Sequence, residues 1–148
     1  MYAMSSGNTE TTENTEITEG TEKLVTEIYE KELSYKIIGC AIQVHKSLGS
    51  GYMEKLYERA LILELTARGL NAKSQFPIRV SYRGEIIGDY KADIVVEDKI
   101  ILELKACSMI IPVHVSQLIQ YLHATGMRCG YVINFGSSKV LEYARRVV

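Results

Sequence analysis

Three charged residues stand inside the two most apolar segments of the chain: Asp93 in YKADIVV, and Glu103 and Lys105 in IILELKA. Ile94, Val95, Val96, Ile100, Ile101, Leu102 and Leu104 fill both alternating positions of these runs, the pattern of strands covered on both faces. A carboxylate or ammonium buried there is costly unless it is paired or bound to something. Two carboxylates meeting at strand ends could hold a divalent metal through oxygen ligands, as Mg²⁺ prefers. A lysine beside them could orient or deprotonate a water for attack on a phosphate, while the metal neutralises charge on the phosphodiester. A buried ion-pair network is the plainer use of the same three residues.

Strand register decides whether the carboxylates can meet. If Glu97 and Asp98 alone form the turn, Val96 pairs with Lys99, and Asp93 and Glu103 fall on opposite faces. A three-residue loop, Glu97-Asp98-Lys99, pairs Val96 with Ile100 and sets Asp93 directly across from Glu103. The chemistry therefore predicts the three-residue loop, or a bulge that has the same effect. That loop also contains a second Glu-x-Lys, but in a polar turn where solvated charge needs no explanation.

Two further stretches carry polar residues at helical spacing. In GSGYMEKLYERAL, Glu54 and Tyr57 lie three apart on one helical face, and in QLIQYLHATG, Gln117 and Tyr121 lie four apart. Their plainer readings are a helix N-terminus with a favourable early glutamate and the polar side of an amphipathic helix. His45 lies nine residues before Glu54, and its plain reading is an ordinary helix histidine at the mouth of a groove; His114 and His123 receive no role.

The elements that must position these groups follow from periodicity. Apolar residues recur at helical spacing from about residue 23 to 48, through Leu33, Ile37, Ile38, Ala41, Ile42, Val44 and Leu48, and Gly49-Ser50-Gly51 ends that helix. A second helix is expected over 52–68, with Leu56, Ala60, Leu61, Leu63 and Leu65 inward and Gly69 closing it. Strands are expected at 76–82, 86–87, 90–96 and 100–106, with Arg83-Gly84 as a turn. Pro112 begins a helix that Gly126 ends, 130–135 is a last clear strand, and 139–148 is ambiguous. The fold class is α/β (α+β), a central β-sheet flanked by helices.

The chain has 148 residues, 47% of them hydrophobic and 24% charged, enough for one domain with a single core. Thr-Glu recurs every third residue from Thr9 to Glu22. This acidic stretch has almost nothing to bury, so residues 1–22 read as a disordered tail and 23–148 as the single domain. The net charge of −1 divides into −6 over residues 1–30 and +5 over the rest, which permits a phosphate-bearing partner. No apolar run approaches a membrane span, and the start lacks a signal-peptide pattern. Cys40, Cys107 and Cys129 form no CxxC or disulfide framework, so a cytoplasmic, reducing setting is the default.

Gly51-x-x-Glu54-x-x-Tyr57 followed by YKADIVVEDKIILELKA resembles the GxxExxY family of the PD-(D/E)XK nuclease superfamily. The similarity runs from about Leu33 to Val148 and includes VHKSLGSG, the Pro112-Val113-His114 helix start and INFG at 133–136. It implies a restriction-endonuclease-like core with a central mixed β-sheet. In it Asp93 is the Asp, Glu103 the D/E and Lys105 the Lys of the motif, and Glu54 is an acid from the preceding helix. Ala92 stands where the pattern's proline would be. Gln117-x-x-x-Tyr121 is similar to the QxxxY helix of recombination-type exonucleases in the superfamily, and relatives of that kind use a helix histidine as an extra metal ligand, which makes His45 the counterpart here. The resemblance implies a Mg²⁺- or Mn²⁺-dependent nuclease in which Asp93, Glu103 and Glu54 hold the metal, Lys105 positions the water, and Gln117 and Tyr121 hold the phosphate or the lysine. DNA is favoured over RNA as the substrate, a homodimer is compatible with the architecture, and Lys46, Lys55, Arg59, Lys73, Arg79, Lys91 and Arg128 are candidates for a basic rim. The alternatives are a catalytically silent nucleic-acid- or partner-binding module, and an enzyme acting on a nucleotide-like small molecule.

Overall fold

In the computed structural model, the backbone is described from Ala3 to Val148 and the side chains from Thr18 onward. Two compact units divide the chain, Met1–Lys36 and Ile37–Val148. The first belongs to helix α1 (Ala3–Leu48), and Leu24, Val25, Ile28 and Tyr29 stand exposed on it. The stretch expected as a disordered tail is helical from Ala3, and its described side chains, from Thr18 to Glu22, are exposed.

The second unit begins with the last turns of α1, where Ile37, Cys40, Ala41 and Val44 are buried at the three-and-four spacing of a helix face. Helix α2 (Glu54–Ala67) buries Tyr57, Glu58, Leu61 and Leu65. Leu56 and Leu63, expected inward, are exposed. The i, i+4, i+8 line through Tyr57, Leu61 and Leu65 defines the buried stripe, and Leu63 lies about 200° around the helix from Leu61.

Five strands follow: β1 (Ala72–Tyr82), β2 (Glu85–Val96), β3 (Ile100–Lys105), β4 (Cys129–Asn134) and β5 (Glu142–Val147), with α3 (Pro112–Thr125) between β3 and β4. They form one sheet in chain order. The β1–β2, β2–β3 and β4–β5 pairs are antiparallel and β3–β4 is parallel, because a parallel pair needs a crossover and α3 supplies it. The two segments expected at 86–87 and 90–96 are one strand. Arg83 and Gly84 both take positive φ between the paired Tyr82 and Glu85, the two-residue hairpin whose twist matches its strands. β5 occupies the ambiguous stretch. It is an edge strand with mostly exposed side chains, so no apolar run announced it.

Pro112 sits in the first turn of α3 and Gly126 closes it in the left-handed region, φ 75°. Leu118, Tyr121 and Leu122 of α3 pack with Ile78, Ala92, Val95, Ile101 and Val132 of the sheet. This packing sets α3 over the strands that carry Asp93 and Glu103.

Candidate active site

The β2–β3 hairpin has the three-residue loop. Val96 pairs with Ile100, Val95 with Ile101 and Ile94 with Leu102. Glu97 and Asp98 both adopt positive φ, 55° and 54°, a strained choice for residues other than glycine. Contacts from β1 and the residue just before it hold them there. The Glu97 and Asn71 backbones bond at 2.8 Å, Asn71 N–H donates to Glu97 Oε1 at 3.1 Å, and Lys73 Nζ meets Asp98 Oδ1 at 2.7 Å.

Past Ile94–Leu102 the backbone ladder stops, and the two carboxylates take its place. Asp93 N–H donates to Glu103 Oε1 at 3.1 Å, and Leu104 N–H donates to Asp93 Oδ2 at 2.8 Å. Each acid thus satisfies a backbone donor on the other strand and keeps its second oxygen outside the described hydrogen bonds. Glu103 is buried. Burial, reinforced by the neighbouring Asp93, pushes its carboxyl up to about 8. Burial also raises Asp93, followed by the nearby charges of Glu58 and Glu54, against the lowering effect of the Leu104 bond. A buried and a half-buried carboxylate whose charges oppose one another are a site short of positive charge.

Glu54 opens α2 and is exposed, close enough to act on both carboxylates. Glu58, one turn on, was not singled out by the sequence reading. It is buried, accepting from Ser74 Oγ at 3.0 Å and Gln75 Nε2 at 2.8 Å, with Lys55 Nζ at 3.2 Å. Gln75, at φ 52°, falls opposite Asp93 where the β1–β2 pairing is interrupted between Ser74 and Phe76. Glu58 therefore ties α2 to the strand that backs Asp93. Its position four residues after Glu54, on the same helical face, was the available signal.

Lys105 is half-buried at the end of β3. It shares a cleft of about 340 Å³ with Val113, His114, Ser116, Gln117 and Gln120. Gln117 Nε2 donates to the Tyr121 hydroxyl at 3.2 Å. Tyr121 is raised by burial and then by the charges of Glu103 and Asp93. The structure thus brings Asp93, Glu103, Lys105, Gln117 and Tyr121 to one end of the sheet.

His45 is not among them. It is buried, with Nε2 2.7 Å from the Ser137 carbonyl and its ring tilted against Phe135. Among the described residues no three His, Cys, Asp or Glu side chains gather into a metal-binding group; Glu54, expected as a third ligand, stands outside the Asp93–Glu103 pair as His45 does. Tyr57 proves structural as well. It is fully buried, stacked on Phe135 at 4.7 Å, and its hydroxyl donates to the Gly49 carbonyl while accepting from Tyr52 N–H. The Gly-x-x-Glu-x-x-Tyr spacing thus fastens the loop that leads into Glu54. Tyr57→Phe is expected to lose about 1–2 kcal/mol of stability in urea unfolding, the usual effect of removing one buried hydrogen-bonding group.

The second residue missed by the sequence reading is Asn134. It is completely buried and pairs with Lys105 in the parallel ladder. Its Oδ1 accepts from Cys107 N–H at 3.0 Å and Gly136 N–H at 2.9 Å, and its Nδ2 donates to the Cys107 carbonyl at 2.9 Å and Glu142 Oε1 at 3.0 Å. These bonds fix the chain leaving Lys105 on its way to α3. A polar residue in an apolar strand is the same anomaly that drew attention to Glu103. Gly136 permits this approach, since a Cβ there would lie 2.1 Å from the Cys107 carbonyl oxygen. Gly136→Ala is expected to lower stability by about 2–4 kcal/mol in thermal or urea unfolding, because the clash is with backbone.

Of the expected basic rim, Lys55 and Lys73 are engaged with Glu58 and Asp98, and all seven cations are exposed. No helix among the described residues is long and apolar enough to cross a membrane.

Asp93 and Glu103 suit a divalent cation such as Mg²⁺ or Mn²⁺. They are hard oxygen donors, each has an oxygen to spare, and the raised carboxyls would be relieved by positive charge. Mg²⁺ typically takes one or two carboxylates and completes its shell with water and substrate oxygens, so two protein ligands are enough.

No curated protein matches the chain. Among solved structures, the crystal structure of SSO0001 is similar with a TM-score of 0.50 and 16% identity, over 63% of this chain and 48% of that one. The chain thus spans about half of that protein, and the likeness is one of fold. The model of the PD-(D/E)XK nuclease superfamily matches residues 31–147, which include the end of α1, helices α2 and α3 and all five strands. The chain belongs to the PD-(D/E)XK nuclease superfamily.

Proposed function

We propose that this chain is a metal-dependent nuclease of the GxxExxY type that hydrolyses phosphodiester bonds, in DNA rather than RNA, with a role in DNA processing or repair. The observation that carries this reading is the reciprocal Asp93–Glu103 pair with Lys105 two residues on, in a cleft shared with Gln117. When bound by Asp93 and Glu103, Mg²⁺ or Mn²⁺ would supply charge neutralisation at the phosphodiester. Glu54 would reach the same ion directly or through water. The Lys105 ammonium would hold a water by its oxygen and aim it at phosphorus. Gln117, which gives one of its two amide N–H groups to Tyr121, keeps its carbonyl oxygen as an acceptor for the lysine. Tyr121 accepts that bond and retains its own hydroxyl proton to donate to a phosphate oxygen.

The test is incubation with single- and double-stranded DNA and RNA in Mg²⁺ or Mn²⁺, beside Glu103→Ala and Lys105→Ala. Metal-dependent cleavage lost in both variants is the expected result. Cleavage that survives both would overturn the assignment of the site, and binding of every substrate without cleavage would point to a silent binding module.

A further inference from the structure

A second cleft, of about 500 Å³, opens beside the one that holds Lys105. Val80, Ile87, Gly88 and Tyr90 of the β1–β2 hairpin form one wall, and Gln120, Tyr121, His123 and Ala124 of α3 form the other. Gln120 lines both clefts, and Tyr121, which accepts from Gln117 at one side, presents its ring to the other. Tyr90 and Tyr121 stand with ring centroids 5.9 Å apart and tilted by 43°. Tyr90 is 49% exposed and Ile87 68% exposed, which is unusual for large apolar side chains grouped around a concavity. Gly88 makes the arrangement possible, because a Cβ there would come within 2.7 Å of the Tyr90 ring. The ring lies back across the strand instead of standing up from it.

We infer that this cleft receives an unstacked nucleobase of the strand being cut, with Tyr90 as the stacking platform. The inference rests on the nuclease reading for the word cut, and on the cleft itself for the base. A flat aromatic wall, an apolar lining and a few amide or imidazole groups at the edge are what a base needs, since every base has a π-face and a hydrogen-bonding rim. The shared Gln120 sets the base next to the phosphate cleft, so one nucleotide would occupy both. A base inside a duplex is already stacked and paired, and could enter only by leaving the helix. The substrate is therefore single-stranded DNA or an unpaired nucleotide, with intact duplex disfavoured.

Two measurements test this independently. In Ca²⁺, where turnover is not required, a single-stranded DNA oligonucleotide carrying 2-aminopurine should bind with quenched fluorescence. Tyr90→Ala and Gly88→Ala should each weaken binding roughly tenfold and abolish the quenching, while Tyr90→Phe should keep both. In Mg²⁺, Tyr90→Ala should raise KM for single-stranded DNA by roughly tenfold with kcat little changed, and intact blunt duplex should be cut at least about tenfold more slowly than single strands. Equal binding and quenching by wild type and Tyr90→Ala, or an absence of binding by wild type, would overturn the base subsite whether or not the protein cleaves. Tyrosine-dependent binding without cleavage would uphold the subsite and reject the nuclease reading.

Discussion

Asp93→Asn and Glu103→Gln are each expected to reduce phosphodiester cleavage by roughly 10³-fold or more, and Lys105→Ala by roughly 10²–10⁴-fold. The two amide substitutions preserve shape. An asparagine at 93 can still accept from Leu104 N–H and a glutamine at 103 can still accept from Asp93 N–H, the bonds that close the end of the β2–β3 ladder. What they remove is the negative charge that would hold a divalent cation, so the loss should reach kcat and resist added metal. Lys105→Ala leaves both carboxylates in place and removes the group two residues along β3 that faces the Gln117 cleft. Its metal binding should persist while turnover falls. Residues acting as one unit are not additive, so the Asp93→Asn, Lys105→Ala double variant should be no slower than the worse single one. Single-turnover kinetics on a labelled oligonucleotide read these effects. Retention of more than about a tenth of the wild-type rate in either amide variant would remove the carboxylate pair from the mechanism.

The second large effect is on stability. Glu103 rises from an ordinary 4.5 to about 8 through burial and the Asp93 charge, and Asp93 is raised in the same direction. An acid whose folded value exceeds its unfolded one binds more protons when folded than when unfolded between those two values. Stability is then fully present below the unfolded value and is lost as the pH climbs through the folded one. In chelator, the protein should therefore weaken from about pH 5 to pH 8, by on the order of 2–4 kcal/mol from Glu103. Glu103→Gln should flatten that slope and exceed wild type at pH 8, because it mimics the protonated acid. Millimolar Mg²⁺ should shrink the wild-type loss and leave Glu103→Gln unmoved, since the cation favours the ionised pair. Urea midpoints at pH 5, 6.5 and 8 with and without Mg²⁺ measure all of this. A metal-free wild type as stable at pH 8 as at pH 5 would mean that the acids are better solvated than their burial implies.

Much of the carboxylate site was legible because it violates a local rule. Acidic and basic residues inside runs such as IILELKA are costly, so they stand out, and period-two alternation turns loop length into a statement about which residues face each other. The observed Val96–Ile100 pairing is the register that the chemistry required. Residues obeying their local pattern were harder to see. Glu58 reads as one more polar position on a helix, and its burial comes from Ser74 and Gln75, sixteen and seventeen residues away. β5 mixes Glu142, Arg145 and Arg146 with Tyr143, Ala144 and Val147 along an exposed edge, so it has no apolar run. His45 sat near Glu54 in the chain, but the fold gives its ring to Ser137, ninety-two residues on.

The sequence by itself determined the apolar strands, the helix bounded by Pro112 and Gly126, and the identity of the charged residues that interrupt them. These depend on contacts within a few residues, where periodicity and turn chemistry dominate. Only the tertiary structure decided that the Glu97–Asp98 turn could hold two non-glycine residues at positive φ, because the anchoring groups, Asn71 and Lys73, come from the start of β1 and the residue before it, more than twenty residues away in the chain. It also decided that the β2–β3 ladder stops short of Asp93 and Glu103, so that the carboxylates, and not the backbone, close the end of that ladder. A local pattern can show that a charge is out of place. Whether its neighbours oppose or relieve that charge depends on long-range packing, which here sets two acids together beside Lys105 and Tyr121.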